Sequence, residues 1–264
     1  MRTCRPWLKG SLIVMMFAYG IFAVGILVPT LRLASGSRRA QPCERAIYNG
    51  WNRAVCRILN VRVHREGQLS TEAQLVVANH ISWLDIIVLG AEAPFLFIAK
   101  SEVADWPVMG YLAKKIGTLF IKRGDTAHAV QTAERMAWLL RRGQRLLLFP
   151  EATTSNGEKV LRFHGKLFHA AQLAGASVQA VAIGYSGEGR EQIPFIGDDE
   201  FVPHLWAILQ LEQVDIHLAF CETLPEGLSS THLALTTRQQ IVEALERTFA
   251  DATDERQASY LRAS

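Results

Sequence analysis

The chain has 264 residues, of which 49% are apolar and 20% charged, enough for one sizeable folded core with a short appendage and some membrane-facing surface. Charge is unevenly spread: residues 1–57 carry nine Lys/Arg against one acid, Glu44, leaving 19 basic against 24 acidic residues for the rest. A basic arm on a mildly acidic body points to anionic lipid headgroups, and no basic stripe interleaved with aromatics argues for nucleic acid. Cys4, Cys43, Cys56 and Cys221 lack C-x-x-C spacing, which excludes an obvious zinc site or disulfide framework and favours a cytosolic-facing body.

In chain order, Gly10 to Leu31 is 22 residues without a formal charge, long enough to cross a bilayer as a helix. It is too long for the core of a cleaved signal peptide. Positive charge flanks both ends, so a full span, a re-entrant segment and a helix lying in the interface all fit. Residues 34–45 read as a polar hinge, which gives a membrane-associated segment and hinge over 1–45, a folded domain over 46–256, and a frayed tail over 257–264.

Within the domain, Leu75–Ala78 reads as a buried strand and Ser82–Leu89 as a helix. Gly117–Lys122 reads as a second strand. Thr126–Arg142 is predicted helical, with Val130, Ala133, Ala137 and Leu140 on its inner face, Asp125 or Thr126 as its cap and Gly143 as its end. Arg145–Phe149, Val178–Ile183 and Val214–Phe220 complete the strands, and Ile241, Leu245 and Phe249 mark a docking helix. Strands alternating with helices imply an α/β fold: a single layered domain with a mixed, mostly parallel sheet flanked by helices, preceded by the N-terminal membrane-associated helical segment.

The sharpest cluster is Asn79-His80-Ile81-Ser82-Trp83-Leu84-Asp85, just past a strand end, where an α/β sheet offers its ligand crevice. His80 is the side chain suited to take a proton near neutral pH. Five helical residues turn through about 500°, so His80 and Asp85 meet only if His80 lies in the loop. With Ser82 as N-cap, Asp85 falls at the back-reaching position of a capping box and can turn toward His80. The spacing also arises readily by chance, and Asp85 as a plain cap is the competing reading.

Lys122-Arg123-Gly124 places two cations at a strand end, as a phosphate site or a solvated turn. Phe149 to Gly157 leaves another strand as a polar loop, in which Glu151 either holds the loop or meets a hydroxyl. Gly184-Tyr185-Ser186-Gly187-Glu188 comes near the G-x-S-x-G of serine hydrolases, but Glu188 replaces the last glycine. His164 and His169 lack metal-ligand spacing, and no metal site is expected. Trp83 and Trp106 are candidates for an acyl channel or for packing and interfacial anchoring.

In this order the segments resemble the PlsC-like lysophospholipid acyltransferase family. Its N-H-x4-D block matches Asn79, His80 and Asp85. Its G-x-x-F-[IV]-x-R block matches Gly117, Phe120, Ile121 and Arg123, and its F-P-E-G-T-R-S block matches Phe149, Pro150, Glu151, Thr153 and Ser155. Ala152 and Thr154 stand where Gly and Arg are usual, and Gln179-Ala180-Val181 lacks the proline of a fourth block. The resemblance covers about residues 60–225.

It implies O-acylation of the free hydroxyl of a lysophosphatidate-like lipid, with His80 as base and Asp85 orienting it. Gly117, Lys122, Arg123, Glu151, Thr153, Thr154 and Ser155 would bind substrate. No cofactor is implied; the acyl donor is a thioester of acyl-carrier protein or coenzyme A, and the place is a membrane, the bacterial inner membrane with the domain on its cytoplasmic face. The wording PEATTSNG and the run Phe195–Asp199 followed by His204-Leu205-Trp206 resemble the branch that acylates lyso-ornithine lipid and other lyso-lipids, the first alternative. A non-catalytic lipid-binding scaffold is the second.

Overall fold

A computed structural model describes residues 5–121 and 126–263, without the side chains of 126–129 and 251–263. The N-terminal apolar stretch is one long helical rod: α1 (Arg5–Phe22), a π-helical turn (Ala23–Leu27) and α2 (Val28–Ser35). Trp7, Leu8, Val14, Met15, Ile26 and Leu33 stand exposed along it, whereas Lys9, Ile13, Gly20 and Ala23 are buried against the body. Gly36 at φ +78° reverses the chain into α3 (Ser37–Ile58), a backbone turn that a residue with a Cβ resists. The polar hinge expected over 34–45 is therefore confined to the Gly36 turn, and the boundary expected at residue 45 falls inside a helix. Pro42 lies in the second turn of α3 and removes one intrahelical hydrogen bond, yet Ala40, Asn52, Val55 and Cys56 are buried along one face, and that packing holds the helix.

The body is a seven-stranded sheet: β1 (Val61–Glu66), β2 (Leu75–Ala78), β3 (Leu96–Lys100), β4 (Leu119–Ile121), β5 (Leu146–Leu148), β6 (Val178–Ser186) and β7 (Val214–Leu224). Its order is β1-β7-β6-β2-β5-β3-β4. β6, β2, β5, β3 and β4 are mutually parallel, and β7 with its parallel neighbour β1 runs the other way. This is the mixed, mostly parallel sheet expected. β2 and β5 are buried on both faces, so they read as continuous apolar runs rather than alternating ones.

Helices cover both faces of the sheet, and α5 (Met109–Lys115), α8 (Gly189–Gln192) and α9 (Phe201–Gln210) lie in the connections between strands. α3 and α4 (Leu84–Glu92) lie on one face, where Val55, Leu84 and Val88 meet Val76, Leu147 and Ile183. α6 (Thr126–Arg141), α7 (His169–Ala174) and α10 (Ser230–Ala263) lie on the other, where Met136, Leu140 and Ile241 meet Val77, Leu148 and Ala180. The inner face of α6 is Ala133, Met136, Ala137 and Leu140; Val130, expected inside, is 58% exposed. Gly143 ends α6 as expected: Gly143 N–H donates to Leu140 and Gln144 N–H to Leu139, a Schellman closure. The cap expected at Asp125 or Thr126 lies outside the described residues. α10 docks through Ile241, Leu245 and Phe249, and Gly184 has no Cβ because one would stand 2.6 Å from the Phe249 ring. The helix continues through Ala263, including the region expected to fray.

From β2 the chain leaves to α4 on one face; from its neighbour β5 it leaves to α7 on the other. Adjacent strands whose exits part to opposite faces open a crevice at their carboxyl ends. His80 follows β2 and Glu151 follows β5, so both candidate residues sit at that crevice.

Candidate active site

Asn79, the first residue past β2, locks the strand exit in place. Its amide donates to the Ile183 carbonyl and its carbonyl accepts the Ile183 N–H, both at 2.8 Å. His80 then leaves the sheet as a loop residue, as the geometry of the motif requires. Its ring lies on Phe149 with centroids 3.9 Å apart and planes 15° apart, and its side chain is 16% exposed.

Asp85, in the first turn of α4, is fully buried. Its Oδ2 accepts His80 Nδ1–H at 2.8 Å together with the N–H groups of Ile81 and Ser82 at 2.7 and 2.9 Å. An ionised carboxylate is acceptor-only, so this contact puts the proton on Nδ1 and leaves the Nε2 lone pair to face the crevice. The helix dipole and the N–H groups favour the anion at this end of α4.

Only half of the expected capping box forms. Asp85 reaches back to Ser82 N–H, but the Ser82 hydroxyl makes no hydrogen bond among the described residues, and α4 carries no side-chain cap at its start. Ser82 is buried under the loop, and the carboxylate alone serves both backbone donors.

The loop after β5 closes over the same space. Ser155 N–H donates to the His80 carbonyl at 2.9 Å, and Phe195 N–H donates to the Ile81 carbonyl at 2.9 Å. The Thr154 hydroxyl donates to the Phe195 carbonyl. Three segments distant in sequence are thus tied around His80. Ala152 takes φ +59°, the left-handed region that favours glycine, at the position where the motif usually has Gly. Thr153 is half-buried in the same loop. Glu151 is 3% exposed. Its Oε1 accepts Leu161 N–H at 3.3 Å, and its Oε2 has no partner among the described residues. Burial pushes its carboxyl up to about 7, against smaller opposing effects from the N–H groups of Leu161 and His80.

Of the other expected substrate residues, Gly117 is placed elsewhere. It ends α5 (Met109–Lys115) at φ +87°, with Gly117 N–H donating to Lys114 and Thr118 N–H to Ala113. This is a helix-ending turn at the amino end of β4, away from the carboxyl-end crevice. Lys122 and Arg123 lie outside the described residues.

The serine-hydrolase reading finds no triad among the described residues. Ser186 Oγ lies 2.9 Å from His217 Nε2, but Asp215 bonds His64 instead, at 2.9 Å, and His217 only stacks on His64. His164 and His169 are exposed, and no cluster of metal-ligating side chains occurs among the described residues. Trp83 donates to His204 Nδ1 at 3.0 Å, and His204 Nε2–H donates to the Pro194 carbonyl at 3.1 Å. Trp83 also borders a small apolar pocket with Ile13, Phe17, Trp51, Ile87 and Phe201, while Trp106 is 36% exposed.

One residue of this site was not foreseen. Tyr185, buried on β6, donates its hydroxyl to Asp85 Oδ1 at 2.6 Å. The carboxylate therefore has four donors and no vacant oxygen.

Comparison with known proteins shows the family. A family model described as Acyltransferase matches residues 60–184. A lyso-ornithine lipid O-acyltransferase of Pseudomonas aeruginosa is 41% identical over 82% of this chain and 85% of its own length. A 1-acyl-sn-glycerol-3-phosphate acyltransferase of Neisseria meningitidis is 35% identical over 74% of this chain and 77% of its own. The crystal structure of the 1-acyl-sn-glycerophosphate acyltransferase PlsC from Thermotoga maritima superposes with a TM-score of 0.67 over 96% of this chain and 98% of that one, at 22% identity, and so shares the fold.

Proposed function

Since the chain belongs to the acyltransferase family, we propose that it transfers a fatty acyl group from a thioester to the free hydroxyl of a lyso-lipid, with His80 as the base. The observation that carries this reading is the His80–Asp85 contact, with Nδ1 engaged at 2.8 Å and Nε2 left for substrate. Nε2 takes the hydroxyl proton as the oxygen attacks the thioester carbonyl. The tetrahedral oxyanion then collapses, the C–S bond breaks, and the departing thiolate takes the proton back from the imidazolium. Asp85 holds the tautomer and balances the transient charge. Glu151, with an unpaired oxygen buried beside the His80 backbone, is placed to meet a polar group of the acceptor.

The acceptor follows from Thr154. Its hydroxyl is committed to the Phe195 carbonyl, where an arginine would put a cation for a phosphate monoester. This favours a zwitterionic lyso-lipid over lysophosphatidate, in keeping with the name of the Pseudomonas relative. Lysophosphatidate is the second reading, supported by the Neisseria relative. The donor is a thioester of acyl-carrier protein or coenzyme A.

The apolar rod associates the chain with a membrane, and its packing supports one-sided insertion rather than a full crossing. Arg5 pairs with Glu212 at 3.0 Å and Lys9 donates to the Leu211 carbonyl at 2.8 Å, so the start of the rod is fastened to the body. Its far end turns at Gly36 and returns, with Arg32 gripping Glu44 through two hydrogen bonds of 2.6 and 2.7 Å. Both ends then stay on the side that holds the body, proposed as the cytoplasmic face of the bacterial inner membrane.

The test is a panel assay. Purified protein with labelled acyl thioesters should esterify lyso-ornithine lipid faster than lysophosphatidate. The reverse order would overturn the Thr154 argument, and no product with any lyso-lipid would overturn the function.

A further inference from the structure

Asp85 has four hydrogen-bond donors, and three of them are fixed by the motif's own backbone and ring. The fourth, the Tyr185 hydroxyl, comes from a strand a hundred residues away and meets the oxygen that His80 does not use. Tyr185 arrives there through a rigid chain of contacts. Asn79 clamps Ile183 by two hydrogen bonds. Two residues on along β6, Tyr185 points to the same face as Ile183, the face covered by α4. Its ring is 4% exposed, so its hydroxyl has no water to fall back on.

We infer that Tyr185 is a positioning residue that tunes the His80–Asp85 pair, by withdrawing charge from the carboxylate as well as holding it still. This rests on the reading of His80 as base. A carboxylate with one fewer donor holds the charged imidazolium more tightly, which keeps His80 protonated to higher pH and makes it a poorer base at a given pH. Tyr185 offsets that pull. The hydroxyl does not touch the reacting atoms; it acts through Asp85.

The groups facing this pair can be named from every side. They are His80 from the loop after β2, Glu151 from the loop after β5 with Arg238 of α10 beyond it, Cys56 from α3, and Tyr185 itself. Burial pushes the Cys56 thiol up to about 12, so it stays neutral. Glu151, pushed up to about 7 by burial, also changes charge within the pH range of the assay, so the experiment needs two variants whose effects have opposite sign and that both leave Glu151 in place.

Tyr185→Phe removes the donor; site-specific replacement of Tyr185 by 3-fluorotyrosine keeps the shape and strengthens the donor. Tyr185→Phe should lower kcat about tenfold while KM for both substrates changes by less than about twofold. The acidic limb of kcat/KM should move upward by about half a pH unit or more, and the fluorinated enzyme should move it downward. Ring 15N NMR of His80 should show the same two displacements, which reads the inference without turnover. Displacements of the same sign, or none, would overturn it, whatever the loss of activity or melting temperature. An enzyme inert toward every lyso-lipid would refute the reaction instead, and the NMR displacements would still decide the role of Tyr185.

Discussion

The backbone N–H of Ser155 donates to the carbonyl of His80 at 2.9 Å, so the loop after β5 is hydrogen-bonded to the residue proposed as the base. The two sequence blocks are 75 positions apart and become one object through the parallel pairing of β2 and β5.

Asp85→Asn tests the orientation of His80. An amide would turn a donor toward Tyr185 or toward the two backbone N–H groups, and it cannot balance an imidazolium. We expect kcat to fall by about 10²–10⁴ with the protein still folded by circular dichroism. A loss under about tenfold would show that His80 does not depend on the carboxylate.

Glu151 makes stability depend on pH. Its folded-state value, about 7 against an ordinary 4.5, means the native state binds the proton more tightly than the unfolded chain. Its contribution is complete below pH 4.5 and is lost as pH rises through 7, by an amount of order 3 kcal/mol. Glu151→Gln should remove this slope. Its melting temperature relative to wild type should rise from pH 4.5 to 7 and level off above. A constant difference across that range would contradict the buried, protonated carboxyl.

Ala152 at φ +59° is strained by about 1.5 kcal/mol. Ala152→Gly should relieve it, with a net gain of about 0.5–1 kcal/mol after the entropy of glycine in the unfolded chain. Thermal unfolding should shift upward by about 1–3 °C. A lower melting temperature would mean that the loop does not hold this conformation.

One-sided insertion predicts the labelling of Cys4, which precedes the rod in the sequence. Burial raises the Cys56 and Cys221 thiols to about 12 and 11, which makes them unreactive. In a Cys43→Ser background, which removes the exposed thiol of α3, a membrane-impermeant maleimide should label Cys4 only from the side on which a carboxyl-terminal tag is accessible. Labelling from the opposite side would require the rod to cross.

β2 and β5 were legible as continuous apolar runs, β6 as a run interrupted by Gln179 alone within Val178–Ile183, and β7 by the alternation of apolar Val214, Ile216 and Leu218 with polar residues. β1 was not: VRVHRE is a polar edge strand, four of whose six residues are exposed. α3 was hidden by its first nine residues, whose Ser37 and Pro42, just after Gly36, signal a turn until the packing of Val55 and Cys56 is seen. In the site, His80 and Asp85 were readable because they are neighbours in sequence. The cap at Ser82 was misread because local spacing does not reveal that the hydroxyl is buried. Tyr185 was out of reach, since only the β2–β6 register, with Ala78 beside Val181, brings it to α4. Gly117 was motif-matched, yet its place is a helix end, where its conformation alone accounts for the glycine.

The claim that His80 is the base is tested most directly by comparing wild type with His80→Ala, both purified, for transfer of a labelled acyl group from a thioester to lyso-ornithine lipid. The account predicts that wild type forms the ester and that His80→Ala, folded and membrane-bound as before, is slower by about 10³ or more. Equal rates in the two proteins would contradict it.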